Sequence, residues 1–323
     1  MSTDIIGNLL KKYKSDLSEL SLNTYKNNVQ KVLQMSGQSL DNINYLTTDT
    51  MNIIEMLRAK YNSANTLKTK YASIIVIIRC LELDNQSDAD KFNYNLSIQL
   101  LTNEIIKLSE QIKAELATGE KTTSQKENWL TEADRITIDL TLKNLVKSDI
   151  KTPADLIYFR NYVMWNLYQS LPTRNDFADS KLIFQPPKKS QDLSTDVNYV
   201  ILNKREKSVR YLLNVYKTAS TYGQKSIELP TYLYPMLLEY KKAKERFSSN
   251  SSLFLNSDAT ESLSRNRMSV IYSQLGKIVG KKLGTSLNRH QAVSETMPLE
   301  KMKKLAGKMG HSVQEAMDVY AKI

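Results

Sequence analysis

The sequence predicts a mainly α protein: an N-terminal helical bundle, then a second α-rich domain carrying one small antiparallel sheet. Three observations support this. Apolar residues recur at helical spacing over most of the 323 residues. The period changes only near residues 198–230, where β-branched and aromatic residues cluster between turn-like segments. A polar dozen, ATGEKTTSQKEN, interrupts the pattern at 117–128 with no large apolar side chain.

In the bundle, LSELSLNTYKNNVQKVLQMSG reads as a helix stopped at Gly37, with Asn23 or Thr24 as its cap. TDTMNIIEMLRAKYN supplies a second, capped by Asp49 or Thr50. SANTLKTKYASIIVIIRCLEL and NYNLSIQLLTNEIIKLSEQIKAEL supply a third and a fourth. These place one domain at 1–116, a linker at 117–127 and a second domain at 128–323. The second begins with two capped helical patterns, WLTEADRITIDLTLKNLVKSD and TPADLIYFRNYVMWNLYQSLPT. NYVILN, RYLLNVYKT and KSIELP then read as an antiparallel meander, separated by NKREKSV and ASTYGQ. Helices resume at TYLYPMLLEYKKAKERF, SRNRMSVIYSQLGKIVGKKLG, RHQAVSET, PLEKMKKLAGKMG and SVQEAMDVYAKI.

Composition narrows the function. The chain has one cysteine, Cys80, inside ASIIVIIRCLEL, so no internal disulfide can form and a reducing, intracellular compartment is expected. Its longest apolar run, IIVII, is too short to span a bilayer, and the first residues lack a signal-peptide layout. Net charge is +11, and the excess is lopsided. Residues 1–120 carry 13 Lys/Arg against 14 Asp/Glu, whereas 121–323 carry 32 against 20. A concentrated basic surplus is the electrostatic footprint of a polyanion-binding surface, although a generally lysine-rich protein would share it. With two histidines and one cysteine widely dispersed, no metal-ligand cluster is expected. No GxxxxGK[ST] phosphate loop is present, so an ATPase is not expected.

The rare side chains point to chemistry. His311 stands nine residues before Tyr320 near the C-terminus. Pro298 suits a first helical position and Gly310 a helix stop, and Ser312 with Glu315 forms an S-x-x-E capping box. His311 then lies in a turn, and Tyr320 lies about 12–14 Å of helix rise further on. The two would flank a target rather than touch. A phenol is a weak nucleophile near neutral pH, and a phosphodiester gathers charge on its non-bridging oxygens as it reacts. Arginine suits that charge, because its planar fork makes two parallel hydrogen bonds and stays protonated. Only 11 arginines stand against 34 lysines. Arg174, in SLPTRNDFADSKL, follows Pro172 at a corner with Asp176 nearby to orient it. Arg289, in GTSLNRHQAVSE, opens a short helix beside His290.

In this order, ending GHSVQEAMDVY, the residues resemble the tyrosine recombinases, or phage-type integrases. The family's tail is a Gly-His turn with a nucleophilic tyrosine at the ninth residue after the histidine. SLPTRNDFADSKL is similar to its first-arginine motif; Phe177 stands where relatives often carry glutamate, and Asp176 precedes it. NVYKTASTYGQKSIELP resembles the hairpin holding the family's lysine, here Lys217, with wording similar to recombinases of large DNA viruses and virophages. Where the family commonly has His-x-x-Arg, this chain has Ser286 before Arg289. Ser286 can hydrogen-bond a phosphate but is a poor base, and His290 reads either as packing or as a proton acceptor.

The resemblance implies a core-binding bundle at 1–116 and a catalytic domain at 128–323. It implies that Tyr320 attacks DNA to form a 3′-phosphotyrosyl bond, with Arg174, Arg289 and His311 on the phosphate and Lys217 as the acid. It also implies a double-stranded DNA partner, a homotetramer on two duplexes, and no cofactor or metal. Lys68, Lys70, Arg265 and Arg267 are candidate DNA-backbone contacts. Rival outcomes are a type IB topoisomerase, a telomere resolvase, or a non-cutting DNA-binding protein on the same fold.

Overall fold

The structure is a computed structural model that describes residues 4–14, 16–81, 87–185, 193–295, 305–310, 312–315 and 319. It is mainly α with a small sheet, as the sequence predicts. The chain divides into two compact units, Met1–Thr118 and Gly119–Ile323.

The first unit contains α1 (Ile5–Tyr13), α2 (Glu19–Met35), α3 (Tyr45–Thr48), α4 (Thr50–Lys60), α5 (Ala64–Ile78) and α6 (Asp88–Ala117). Short polar residues start four of these helices. The side chains of Asp4, Ser18, Ser63 and Ser87 accept the N–H groups of Gly7, Ser21, Thr66 and Asp90, satisfying donors that a helix start leaves open. Ser18 therefore opens α2 a full turn before the expected Asn23 or Thr24. The spacing of Val29, Val32 and Leu33 on α2, and of Leu67, Tyr71, Ile74 and Ile78 on α5, puts each set on one buried face. They pack with Ile53, Ile54 and Leu57 of α4 and Leu101 of α6. Each such side chain contributes about 1.5–3 kcal/mol on burial, so Ile74→Ala, at a position with no exposure, would cost about 2–5 kcal/mol. Cys80 is buried just past α5, where its thiol meets the Val76 carbonyl at 3.2 Å and burial pushes its pKa up.

The second unit begins inside the expected hinge, where α7 (Thr123–Asn128) forms on a capping box of Thr122 and Gln125. Two further capping boxes, Thr131/Asp134 and Thr152/Asp155, start α8 (Glu132–Leu145) and α9 (Pro153–Ser170). Strands β1 (Ser180–Phe184), β2 (Asn198–Asn203), β3 (Ser208–Leu213) and β4 (Lys225–Leu229) form one sheet in the order β1-β2-β3-β4. The three expected strands pair antiparallel, with Val200 opposite Tyr211 and Tyr211 opposite Ile227. SKLIF adds a fourth, parallel to β2 from Ser180–Asn198 to Phe184–Leu202, so the sheet is mixed rather than purely antiparallel. The segment near Ser252 continues on the other edge of β1, through Leu182 N–H to Ser251 O and Leu253 N–H to Ser180 O.

Between β3 and β4 lies α10 (Ala219–Tyr222), so the strand expected over 210–218 stops at Leu213. Beyond the sheet come α11 (Leu233–Glu245), α12 (Arg265–Leu275), and α13 (Thr285–Glu295). Arg289 thus lies a turn inside its helix instead of opening it. An aromatic core joins α9, the sheet and α12. Phe177 sits 5.4 Å from the Tyr168 ring, edge to face, and 4.7 Å from Tyr211, while Tyr168 lies 4.8 Å from Tyr272. Residues 305–309 are helical, and Val313–Glu315 form another turn, whose Glu315 N–H is accepted by Ser312 Oγ at 3.0 Å. Ala306 and Met309 pack on Val293 of α13, with Leu305, Val313 and Val319 around them. The expected helix start at Pro298 lies outside the described residues.

Candidate functional site

Proline and a three-residue 3-10 turn, Asn175–Phe177, shape the corner after α9. Phe177 has no exposure, so the position at which relatives of the resembled family often carry an acid is here part of the aromatic core. Asp176 is the residue before it in the same turn. It is 4 % exposed, and its Oδ1 accepts no hydrogen bond within this structure. Burial raises its pKa, against the pull of three guanidinium groups: Arg265, Arg174 and Arg289. The two arginines singled out in sequence, 115 residues apart, are therefore brought into the electrostatic field of one carboxyl group.

Arg265, the third cation, is the residue the sequence assigned to the DNA backbone, and it is exposed. Its Nε lies 2.5 Å from Asp179 Oδ2 and its Nη1 3.9 Å from Asp176 Oδ1. It belongs to the Arg174 corner. Arg267, also on the first turn of α12, is exposed, as a DNA-backbone contact would have to be.

Tyr168 holds the corner to α9. Its hydroxyl lies 3.0 Å from the Arg174 carbonyl and 3.3 Å from Asn175 Oδ1. Burial raises its pKa well above the usual phenol value, so it stays neutral and can donate. The Tyr168 carbonyl accepts Asn288 Nδ2 at 2.7 Å, which fixes α13 and with it Arg289, itself only 7 % exposed. Further along α13, Gln291 Nε2 reaches the Leu130 carbonyl at 3.0 Å and Glu295 meets Arg135 at 2.6 Å. Just before α13, Lys281 Nζ lies 2.6 Å from Asp134 and 2.7 Å from the Trp129 carbonyl. That contact, with the Thr131 N–H, depresses the Asp134 pKa to about 2. Ser286 is exposed on the first turn of α13, and His290 is half-buried on the same helix.

Lys217 stands exposed in the turn after β3. That turn meets the C-terminal segment. Thr218 Oγ1 donates to the Gly310 carbonyl at 3.0 Å, and a Cβ on Gly310 would stand 3.0 Å from the Tyr216 ring and 3.1 Å from Thr218 Oγ1. Gly310 also has φ +74, a conformation glycine takes without strain. Nearby, Lys225 Nζ donates to the Gly307 carbonyl at 2.5 Å, between the rings of Tyr222 at 4.9 Å and Tyr216 at 5.6 Å. The turn carrying Lys217 thus abuts the residue that precedes His311. His311 and Tyr320 themselves lie outside the described residues.

In the first unit, Lys68 is half-buried on α5. Lys70 is 8 % exposed, donates to Asn28 Oδ1 at 2.7 Å and faces the Tyr61 ring at 5.6 Å. Burial lowers its pKa, assisted by Lys31. It is an internal tie, not an outward cation. Sequence reasoning missed Tyr168, Asn198, Thr218, Lys225 and Asn288, all of which act through contacts distant in the chain. Only Thr218 had a signal, its place beside Lys217. Among the described residues, no group of three or more His, Cys, Asp or Glu is placed to hold a metal ion. No described helix is long and apolar enough to cross a membrane.

No family model and no curated protein matches the chain. Among solved structures, a crystal structure of XerA recombinase is similar over 99% of this chain and 94% of that one, with 13% sequence identity and a TM-score of 0.40. At that level the likeness carries no functional argument, which is left to the chain's own residues.

Proposed function

We propose that this chain is a site-specific DNA recombinase or integrase, acting through a 3′-phosphotyrosyl intermediate. The observation that carries the reading is that Tyr168 ties the Arg174 corner to the helix of Arg289, through its hydroxyl on the Arg174 carbonyl and its own carbonyl on Asn288, while the Lys217 turn abuts the Gly310 turn that leads into His311 and Tyr320. Guanidinium groups held in place before the reaction stabilise charge as it develops on phosphate oxygens, without reorganising at that moment. In this scheme the Tyr320 oxygen bonds to phosphorus as the bond to the 5′-oxygen breaks. The phenol's proton passes to solvent water, and Lys217 delivers one to the departing 5′-oxygen and is reprotonated from solvent, so the proton count is unchanged. Arg174, Arg289 and His311 hold the non-bridging oxygens. The phosphotyrosyl bond retains the energy of the linkage it replaces, so a second 5′-hydroxyl reverses the step without metal or nucleotide.

In the same reading, residues 1–116 bind duplex DNA and 128–323 catalyse. Lys68, Arg265 and Arg267 contact the DNA backbone, Arg265 while also pairing with Asp179, whereas Lys70 serves an internal role. Four protomers act on two duplexes, inside a cell, in a viral or mobile-element setting.

The test uses a pool of nicked duplexes of varied sequence, with a chelator present and no ATP. Wild-type protein is expected to form a denaturation-resistant protein–DNA adduct, and Tyr320→Phe none. Binding without an adduct would make the chain a non-cutting DNA-binding protein. Relaxation of a single supercoiled duplex, with no products joining two duplexes, would make it a topoisomerase.

A further inference from the structure

We infer that Asn198 is a positioning residue that sets where the Lys217 turn stands relative to Arg174. The inference rests on the proposed strand-cleaving reading and adds to it a residue that neither sequence pattern nor chemistry had singled out.

Asn198 is the first residue of β2 and is 1 % exposed. A buried primary amide has two donors and an acceptor oxygen with two lone pairs, and each left unmet costs about 1–3 kcal/mol. Here all four are used, and all by main chain. Nδ2 donates to the Asp176 carbonyl at 3.3 Å and to the Val215 carbonyl at 2.9 Å. Oδ1 accepts the Asn214 N–H at 2.8 Å and the Val215 N–H at 2.7 Å. One side chain therefore grips the backbone two residues after Arg174 and two residues before Lys217.

Neighbouring contacts fix the clasp at both ends. Ser180, paired with Asn198 across β1 and β2, donates from Oγ to the same Asp176 carbonyl at 2.9 Å. On the lysine side, Asn214 Nδ2 donates to the Val197 carbonyl at 2.6 Å, and Gln224 Nε2 donates to Asn214 Oδ1 at 2.6 Å. Lys217 is exposed on a turn outside the strands, so its own packing cannot fix its distance from the arginines. The amide of Asn198 supplies that fixed distance. A general acid is effective only within hydrogen-bond reach of the leaving oxygen, so a loosened turn loses proton transfer first.

The experiment compares two nicked substrates, one with an ordinary 5′-oxygen and one with 5′-sulfur at the scissile bond. Sulfur leaves as a thiolate and needs no proton. Asn198→Ala is expected to slow adduct formation on the oxygen substrate by about 10–100-fold, part of the 10²–10⁴-fold that general acid catalysis supplies. It should leave the sulfur substrate within about twofold of wild type, and it should add nothing further in a Lys217→Ala background. Asn198→Asp, isosteric but without donors, should show the same split. Equal slowing on both substrates, or full additivity with Lys217→Ala, would overturn the role. If Asn198→Ala loses its thermal unfolding transition, Asn198→Ser, whose hydroxyl stands one bond short of the amide and cannot span both carbonyls, is read on the same two substrates by the same criteria. Failure of wild type to form an adduct on either substrate would instead remove the strand-cleaving reading, and this role with it.

Discussion

Around Arg174 the main chain is gripped by four buried side chains: Tyr168 and Thr173 on the Arg174 carbonyl, and Ser180 and Asn198 on that of Asp176. Around Gly310 the described side-chain donors are a threonine hydroxyl and, three residues earlier, a lysine ammonium, each on a backbone carbonyl. Phe177 ties the first corner into the aromatic core of the second unit, whereas the second turn rests on the small cluster of Val293, Ala306 and Met309. The difference separates two kinds of placement. The arginine corner shares the stability of a whole core, and the terminal turn depends on a few local contacts that can open by themselves.

The largest expected effect tests the first half of that contrast. Phe177→Ala should cost about 3–5 kcal/mol of unfolding free energy, read by denaturant titration; a loss under 1 kcal/mol would mean the corner is not part of the core. Next, Arg174→Ala or Arg289→Ala should slow adduct formation by about 10²–10³-fold, and lysine should not restore the rate, because it lacks the planar fork. Full activity in Arg174→Lys would reduce that residue to a point charge.

Gly310→Ala probes the other half. Left-handed backbone at a residue with a Cβ costs about 1–2 kcal/mol, and here the Cβ also presses on the Tyr216 ring. Amide exchange should rise at 305–309 while the global melting temperature stays put; a fall in both would merge the two regions into one cooperative unit. Thr218→Val, which removes only the hydroxyl donor, should show the same pattern with about 0.5–1.5 kcal/mol.

The smallest effect is acid sensitivity. Lys281 and Thr131 hold the Asp134 pKa at about 2, below its unfolded value near 3.8. The unfolded chain then binds more protons in that window, so this contribution is complete above pH 4 and is lost as the pH falls through 2. Asp134→Asn should flatten that part of the stability profile. Since the two bonds at Gly307 and Gly310 involve no carboxylate, exchange at 305–309 should rise no faster in acid than elsewhere in the unit.

Local chemistry was the readable part. The Thr131/Asp134 and Thr152/Asp155 boxes announce α8 and α9 in four letters each, and the Gly310 stop with Ser312 as cap is where the sequence puts it. The same signature, Thr122 and Gln125, was present in the polar hinge, but a segment without large apolar residues gives no helical period to support it. β1 was missed because SKLIF is five residues long and gains its identity from pairing with β2, across 18 positions of chain. Lys70 shows the limit most plainly. A cation on a helix reads as a solvated or phosphate-facing charge until Asn28, from another part of the chain, is seen beside it.

One consequence follows from the packing of Cys80. Its sulfur is the only thiol in the chain, and it is shielded by its neighbours with a raised pKa, which leaves almost no thiolate for maleimide or iodoacetamide to capture in the folded state. A reporter cysteine placed on the surface, at the exposed positions of Lys143 or Glu239 for instance, would label selectively without first stripping the native sulfhydryl. Fluorescence or spin-label distances could then be measured on an otherwise unaltered protein.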